Sequence, residues 1–528
     1  MGFISRLFSG GRGKRDAQQD DDDLDDEVFP IHFLDMIGIT PHCTMGFTFQ
    51  YDDVLDPEKL HGSLVRLLEM EGWRKMGGRL RRDKKGKPEI RVPRKYTPER
   101  PAVAFSHVEY GVRVEEHPLA SRLHKSPEDG GPSIQDGHAT FREFTVPPGF
   151  EAKATDWFRG DKDKPITSLL VSSFTDGTIV SIVFPHIVLD AVGLGDLLRA
   201  WSNVLADRID RIPPVLGSKR DVLENVGTSS DEKAQTPYIL EDYRIKGFSL
   251  LAFAMRLAWD VLTMKLEPRT IVLPAGYMSH LRQQAESELC QELGIDTPPF
   301  ISDGDIITAW CSRMISSSTS PRTPSSVINI FDLRSRLDDT RTQQEQGTYL
   351  QNLLLRTCAP MESSSSSLSL GQVALRVRQA IVQQTTDTQI RSDLKLVRGL
   401  SVAGFPPLFG SSPFASFMGC SNWEKAKLQE SANFADAVVI PSSSSHNSEK
   451  AGGVAAPSPG ACVGYSGSNV AEMYSIGEGF VLFGKGGRRG EYMLEAGFRG
   501  RTWGFVRREF ERYEEGRRKE KGGGGGSC

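Results

Sequence analysis

The chain has little of what staples a small fold or cages a metal. Its seven cysteines, Cys43, Cys290, Cys311, Cys358, Cys420, Cys462 and Cys528, are scattered, odd in number and free of CxxC spacing. A disulfide framework and the usual structural zinc patterns are therefore not expected, and reduced thiols in a cytoplasmic compartment are. Long apolar runs are also missing: the longest stretch, Phe248 to Met264, is interrupted by Arg256 and Asp260, so no membrane span is expected. Neither sign of charge prevails, because 64 Lys and Arg stand against 68 Asp and Glu, a formal net charge of -4. Nucleic-acid binding is not expected from that balance. There is no tandem repeat. The first eight residues are too short and too interrupted for a signal h-region, and Arg6 stands where a myristoylation signal needs Ser or Thr.

What is present is globular. Hydrophobic residues make up 38% and charged residues 25% of 528 residues, a length beyond the usual reach of one hydrophobic core. Two domains are the first expectation. Residues 1–28, with the acidic run Asp20 to Asp23, read as a disordered tail. Residues 29–212 form the first domain, 213–237 a polar crossover linker, and 238–515 the second domain. Serine-rich tracts near 361–369 and within 441–470 read as surface insertions, and 516–528, ending in five glycines before Ser527 and Cys528, as a flexible tail. In the stretch from Phe248, the residues Phe253, Leu257, Val261 and Met264 fall on one face at helical spacing, as core packing, the first expectation, or a lip over a substrate cavity requires.

The segment richest in chemistry is His186-Ile187-Val188-Leu189-Asp190. Before it, Leu169 to Phe174 and Thr178 to Phe184 flank Thr175-Asp176-Gly177, the signature of a hairpin. After it, Leu194, Leu197, Leu198, Trp201 and Leu205 recur at helical spacing. His186 thus leaves a strand and Asp190 precedes a helix. A neutral imidazole held there can take the proton of a hydroxyl or amine as that group attacks an acyl carbon. HxxxD arises by accident on the order of once in every two chains of this composition, so its setting has to carry the assignment.

That setting resembles the BAHD acyltransferases, in particular their fungal, trichothecene acetyltransferase-like branch. Phe33-Leu34-Asp35, Gly72 to Leu80, Arg269 to Pro274, Ser302 to Asp305 with Ala309-Trp310, and Asp332-Leu333-Arg334-Ser335-Arg336-Leu337 resemble family landmarks in the family's order, over roughly residues 29 to 515. The resemblance implies an α/β fold of two chloramphenicol-acetyltransferase-like domains, each a mixed β-sheet flanked by helices, with a tunnel at their interface. It implies direct acyl transfer from acyl-CoA, acetyl-CoA first among the candidates, to a small-molecule alcohol or amine. No permanently bound cofactor and no metal is implied, and the family is mostly monomeric.

By the same resemblance His186 is the general base, Asp190 turns away to pair with Arg334 and orients the histidine loop, and Gly193 stands in for the glycine of HxxxDG. Ser421 of Ser421-Asn422-Trp423 is the candidate oxyanion donor and Trp423 the wall of the acceptor site. The family's DFGWG element reads here as Asn433-Phe434-Ala435-Asp436-Ala437, keeping only Phe434, which is structural. The expected activity is O-acylation of a specialised metabolite. N-acylation by the same fold, and an idle relative that only binds a ligand or partner, are the alternatives. A peptide-synthesis condensation domain is disfavoured, because Pro185 occupies the place of its first histidine.

Overall fold

The computed structural model describes residues 25–523 apart from 126, 128–129, 159–162, 321, 342–345, 401–405, 441–456, 471–476 and 487–489. In chain order the elements that frame the centre are β1 (Thr44–Tyr51), α1 (Pro57–Leu68), β2 (Val103–Glu109), β3 (Ser133–Asp136), β4 (Thr167–Ser173), β5 (Thr178–Pro185), α2 (Ala191–Leu205) and α3 (Phe248–Thr263). There follow β6 (Leu266–Leu273), α4 (Ala275–Leu293), α5 (Asp303–Ser317), β7 (Ser325–Asp332), β8 (Leu354–Met361), α6 (Leu370–Gln384), α7 (Asp387–Leu400), β9 (Ser416–Asn422), β10 (Gly464–Asn469), β11 (Glu478–Gly486), β12 (Glu491–Arg499) and α8 (Gly500–Gly523).

Two mixed sheets dominate the described residues. One has five strands in the order β10-β1-β5-β4-β2, the other seven in the order β8-β7-β9-β11-β12-β6-β3. The hairpin of β4 and β5 forms as its sequence predicts, with Phe174 N–H closing the turn on Gly177 O at 2.9 Å. Every residue of both strands is buried. Covering both faces of a strand demands a continuous apolar run in place of alternation, which is what Thr178 to Phe184 supplies. Helices α1 and α2 pack on this sheet through Leu60, Leu64, Leu67, Leu194, Leu197, Leu198 and Trp201. The second core is built by Leu281, Ala285, Ile306, Trp310, Val373 and Val377 of α4, α5 and α6 against the seven-stranded sheet.

The sheets do not divide where the chain's halves do. Strand β3, from the first half, joins the second sheet with Asp136 opposite Arg269. Strand β10, from the second half, joins the first sheet with Gly464 opposite Gln50. Each half thus lends the other an edge strand, which pairs the outer sides of β1 and β6.

Several expected boundaries shift. Residues 1–24 lie outside the described set, and regular structure begins at Glu27–Pro30, paired with Pro88–Val92. The serines of 363–367 are not a surface insertion: Ser364 and Ser365 are fully buried. Ser365 Oγ donates to Ser312 O at 3.0 Å, and its N–H donates to Ser325 Oγ at 3.0 Å. Hydroxyls that satisfy one another can enter a core that composition alone would deny them. Residues 441–456 of the second insertion lie outside the described residues, while 464–469 are strand β10. The terminal helix continues to Gly523, beyond the expected tail boundary at 516, supported by ion pairs three apart such as Arg512 with Glu509 and Arg517 with Glu514. Helix α3 is also displaced from expectation: of the predicted inward face only Phe253 is buried, and Leu257, Val261 and Met264 are half-covered.

Candidate active site

His186 begins a single 3-10 turn, His186–Val188, at the end of β5. Its N–H donates to Cys43 O at 2.9 Å, fixing the backbone just where the strand ends. The residue is half-buried, so its ring is neither sealed inside nor spread on the surface. Nδ1 lies 3.1 Å from Leu189 O. A carbonyl can only accept, so Nδ1 carries the proton and Nε2 keeps the lone pair. Among the described residues no hydrogen bond engages Nε2. Burial lowers the pKa of His186, with Asp190 and the Leu189 carbonyl opposing, so the ring is held neutral. The result is an oriented imidazole with its basic nitrogen unoccupied.

Asp190 faces away from that nitrogen and is saturated. As the N-cap of α2 it accepts from Gly193 N–H at 2.8 Å. It also takes a bidentate ion pair from Arg334, Nη1 and Nη2 each at 3.0 Å, and the Leu353 N–H at 3.0 Å. The Arg334 guanidinium donates further to Asp332 at 2.6 Å, Tyr349 O at 2.8 Å and Gln351 O at 2.9 Å. Asp190 and Arg334 are each 1% exposed, and a buried pair of this kind is tolerable only because every charge is met. Gly193 is required by space: a Cβ there would stand 2.8 Å from Leu350 O.

Two groups that hold the histidine loop escaped the sequence reading. Asn352 Nδ2 donates to His186 O at 2.8 Å and to Asp35 Oδ1 at 2.8 Å, while Asn352 N–H donates to the same carboxylate oxygen at 2.8 Å. Asp35 is fully buried and accepts His32 N–H at 3.0 Å through its other oxygen. The backbone of His186 is therefore pinned on both sides, by Cys43 and by Asn352. Nearby Lys75 is also buried; burial lowers its pKa, and the charges of Asp35 and Asp190 oppose that shift. The available signal was a lone carboxylate inside the apolar Phe33-Leu34-Asp35-Met36 segment, since a charge there needs a partner.

Ser421 is the penultimate residue of β9, and its Oγ accepts from Trp423 Nε1 at 3.0 Å. With that acceptor contact supplied, its own O–H proton remains to be donated. Trp423 is packed as core: its ring lies 5.1 Å from Phe47 and 5.6 Å from Phe483, and Phe47 stacks on Phe184 at 5.8 Å. This ladder of rings begins two residues before His186 and ends at Ser421's neighbour. Phe434 is fully buried, 4.4 Å from Trp201 and 5.6 Å from Tyr51. It plugs the segment after β9 into the first core, and the following Val438–Ile440 pairs with Val54–Leu55.

Cysteine chemistry finds no support here. Burial pushes the thiols of Cys43, Cys358, Cys420 and Cys462 up to about 12, far from the thiolate range. Among the described residues no cluster of three or more His, Cys, Asp or Glu side chains is placed to ligate a metal.

No family model matches the chain. Acetyltransferase BOT5 of Botryotinia fuckeliana is 40% identical over 512 residues, covering 94% of this chain and 92% of that protein. O-acetyltransferase PaAT-2 of Phomopsis amygdali is 30% identical over 504 residues, covering 92% and 98%. Among solved structures, F. sporotrichioides TRI101 complexed with coenzyme A and T-2 superposes with a TM-score of 0.61 at 14% identity, covering 91% of this chain and 97% of that one.

Proposed function

Since the chain belongs to the fungal, trichothecene acetyltransferase-like branch of the BAHD acyltransferases, we propose that it transfers an acyl group from acyl-CoA to a hydroxyl of a small specialised metabolite, with His186 as the base. The observation that carries the reading is the Nδ1 contact to Leu189 O, which leaves Nε2 as the proton acceptor. The acceptor hydroxyl gives its proton to Nε2 as its oxygen attacks the thioester carbonyl. The tetrahedral intermediate carries its negative charge on the former carbonyl oxygen, where the Ser421 O–H is the candidate donor. Collapse breaks the carbon–sulfur bond, and the imidazolium returns the proton to the leaving CoA thiolate. Acyl ester and free CoA are the products, and His186 is neutral again.

In this reading Asp190 and Arg334 act by orienting the loop, Gly193 by letting α2 start close to Leu350, and Phe434 by packing. Trp423 holds the Ser421 hydroxyl. Acyl-CoA and acceptor reach the imidazole from opposite ends of a passage between the two halves. The relatives favour oxygen as the nucleophile, since PaAT-2 bears the name O-acetyltransferase and TRI101 was crystallised with coenzyme A and T-2.

The test is incubation of the full chain with acetyl-CoA and a panel of hydroxylated terpenoids and polyketides beside matched amines, with product mass and free thiol as readouts. Esters are expected. Amides alone would move the acceptor to nitrogen, and no acylated product with any thioester would leave only the binding role.

A further inference from the structure

Helix α3 has two apolar faces, and the fold uses one. Its inward side sets Phe253 against Phe417 at 5.4 Å between ring centroids, with Leu257, Val261 and Met264 half-covered beside it. The helix carries two charges, Arg256 and Asp260, which pair with each other at 3.2 Å. Arg256 also donates to Ala415 O and, at 3.4 Å, to Pro413 O. Both charges are thus spent against the body of the protein.

The outward side carries Phe248, Leu251, Met255, Trp259 and Leu262, a stripe at spacings of three and four. Phe248 is 92%, Leu262 82% and Trp259 67% exposed. Between them lie Ser249, Leu250, Ala252, Ala254 and Ala258, all uncharged, and Thr263 follows. Phe414, in the loop that Arg256 holds, is likewise 60% exposed. Cations stand at both ends, Lys246 just before the helix, exposed and 3.8 Å from Glu241, and Lys265 just after it.

We propose that α3 is a membrane-surface anchor, lying flat in the headgroup region of an anionic bilayer with its outward stripe in the acyl boundary. Three features select lipid over a protein partner. The stripe spans about two heptads, short of the three or four a stable helix pair needs, and its flanking positions lack the charges that choose a partner helix. The apolar face offers only the Trp259 indole N–H and the Ser249 hydroxyl, Thr263 being engaged with Trp259 O at 2.8 Å, whereas protein interfaces carry roughly one hydrogen bond per 100–200 Å². The lysines at the ends complement lipid phosphates while the aromatic rings occupy the interface. At 16 residues the helix is too short to cross a bilayer, and no helix among the described residues is long and apolar enough to do so.

The experiment is flotation of the full chain with phosphatidylcholine vesicles, with and without phosphatidylserine. The protein is expected to float with the mixed vesicles. The pair Leu251→Gln with Leu262→Gln should lower the bound fraction at least about tenfold, leaving circular dichroism and acyl transfer to a soluble acceptor unchanged. Lys246→Glu with Lys265→Glu should lower binding to the mixed vesicles more than to phosphatidylcholine alone. The proposal fails if wild type does not float, if the Leu251/Leu262 variant floats as well as wild type, or if the face instead closes a dimer that the same substitutions dissolve.

Discussion

Helices α2 and α3 are 15 and 16 residues long, both rich in Leu, Ala and Trp, and they end in opposite circumstances. In α2, ten residues are buried, and the polar group at its start, Asp190, is buried with four donors around it. In α3 one residue is buried, and most of the apolar surface faces out. Hydrophobicity therefore does not tell a core helix from a surface one. The position of the charges does: α2 spends its cap on the interior and so locks a loop, whereas α3 turns both charges inward and leaves its outward face bare.

Substitutions can break this contrast in order of size. Asp190→Ala takes from the buried Arg334 guanidinium one of its two carboxylate partners, leaving Asp332, and is expected to cost about 3–5 kcal/mol, read by denaturant unfolding. Trp201→Ala in α2 opens a cavity against Phe434 and is expected to cost about 3–5 kcal/mol. Met255→Ala on the outward side of α3 should stay within about 0.5 kcal/mol in the same assay. A large loss at Met255 would show that α3 is covered in solution.

Asn352→Ala tests the missed anchor. Losing the side-chain donor to His186 O is expected to cost about 1–3 kcal/mol, because that acceptor is left buried, while Asp35 keeps the backbone N–H of residue 352. If Asn352 positions the imidazole, kcat should also fall and the acid limb of kcat/KM should move, which a purely structural loss would not produce. The smallest expected effect concerns pH. A base acts when deprotonated, and burial holds the His186 pKa below its ordinary value of about 6.5. The wild-type kcat/KM should therefore stay level through neutral pH and fall only on the acid side of that value. An inflection above pH 7 would contradict a desolvated imidazole.

The sequence made local relations legible. His186 and Asp190 are four residues apart, so the strand before them and the helix after them could be read from hydrophobic spacing alone. Arg334 was reachable only through resemblance to relatives, since it lies 144 residues from Asp190. Asp35 and Asn352 meet across 317 residues, and neither sits in a pattern whose spacing signals a partner. The exchange of β3 and β10 between sheets was hidden for the same reason: a four-residue and a six-residue strand each pair with a partner more than 100 residues away. Ser365 was misread because composition counts hydroxyls as polar without asking whether they satisfy one another.

The central claim is that one half-buried, neutral imidazole accepts the acceptor's proton. Its most direct test is the rate of CoA release with an accepted alcohol, for wild type and for His186→Ala at matched folding. The expected result is a loss of about 10²–10⁴-fold in kcat, with the circular dichroism spectrum and the unfolding midpoint of the variant close to those of wild type. Equal rates would contradict the assignment of His186 as the base.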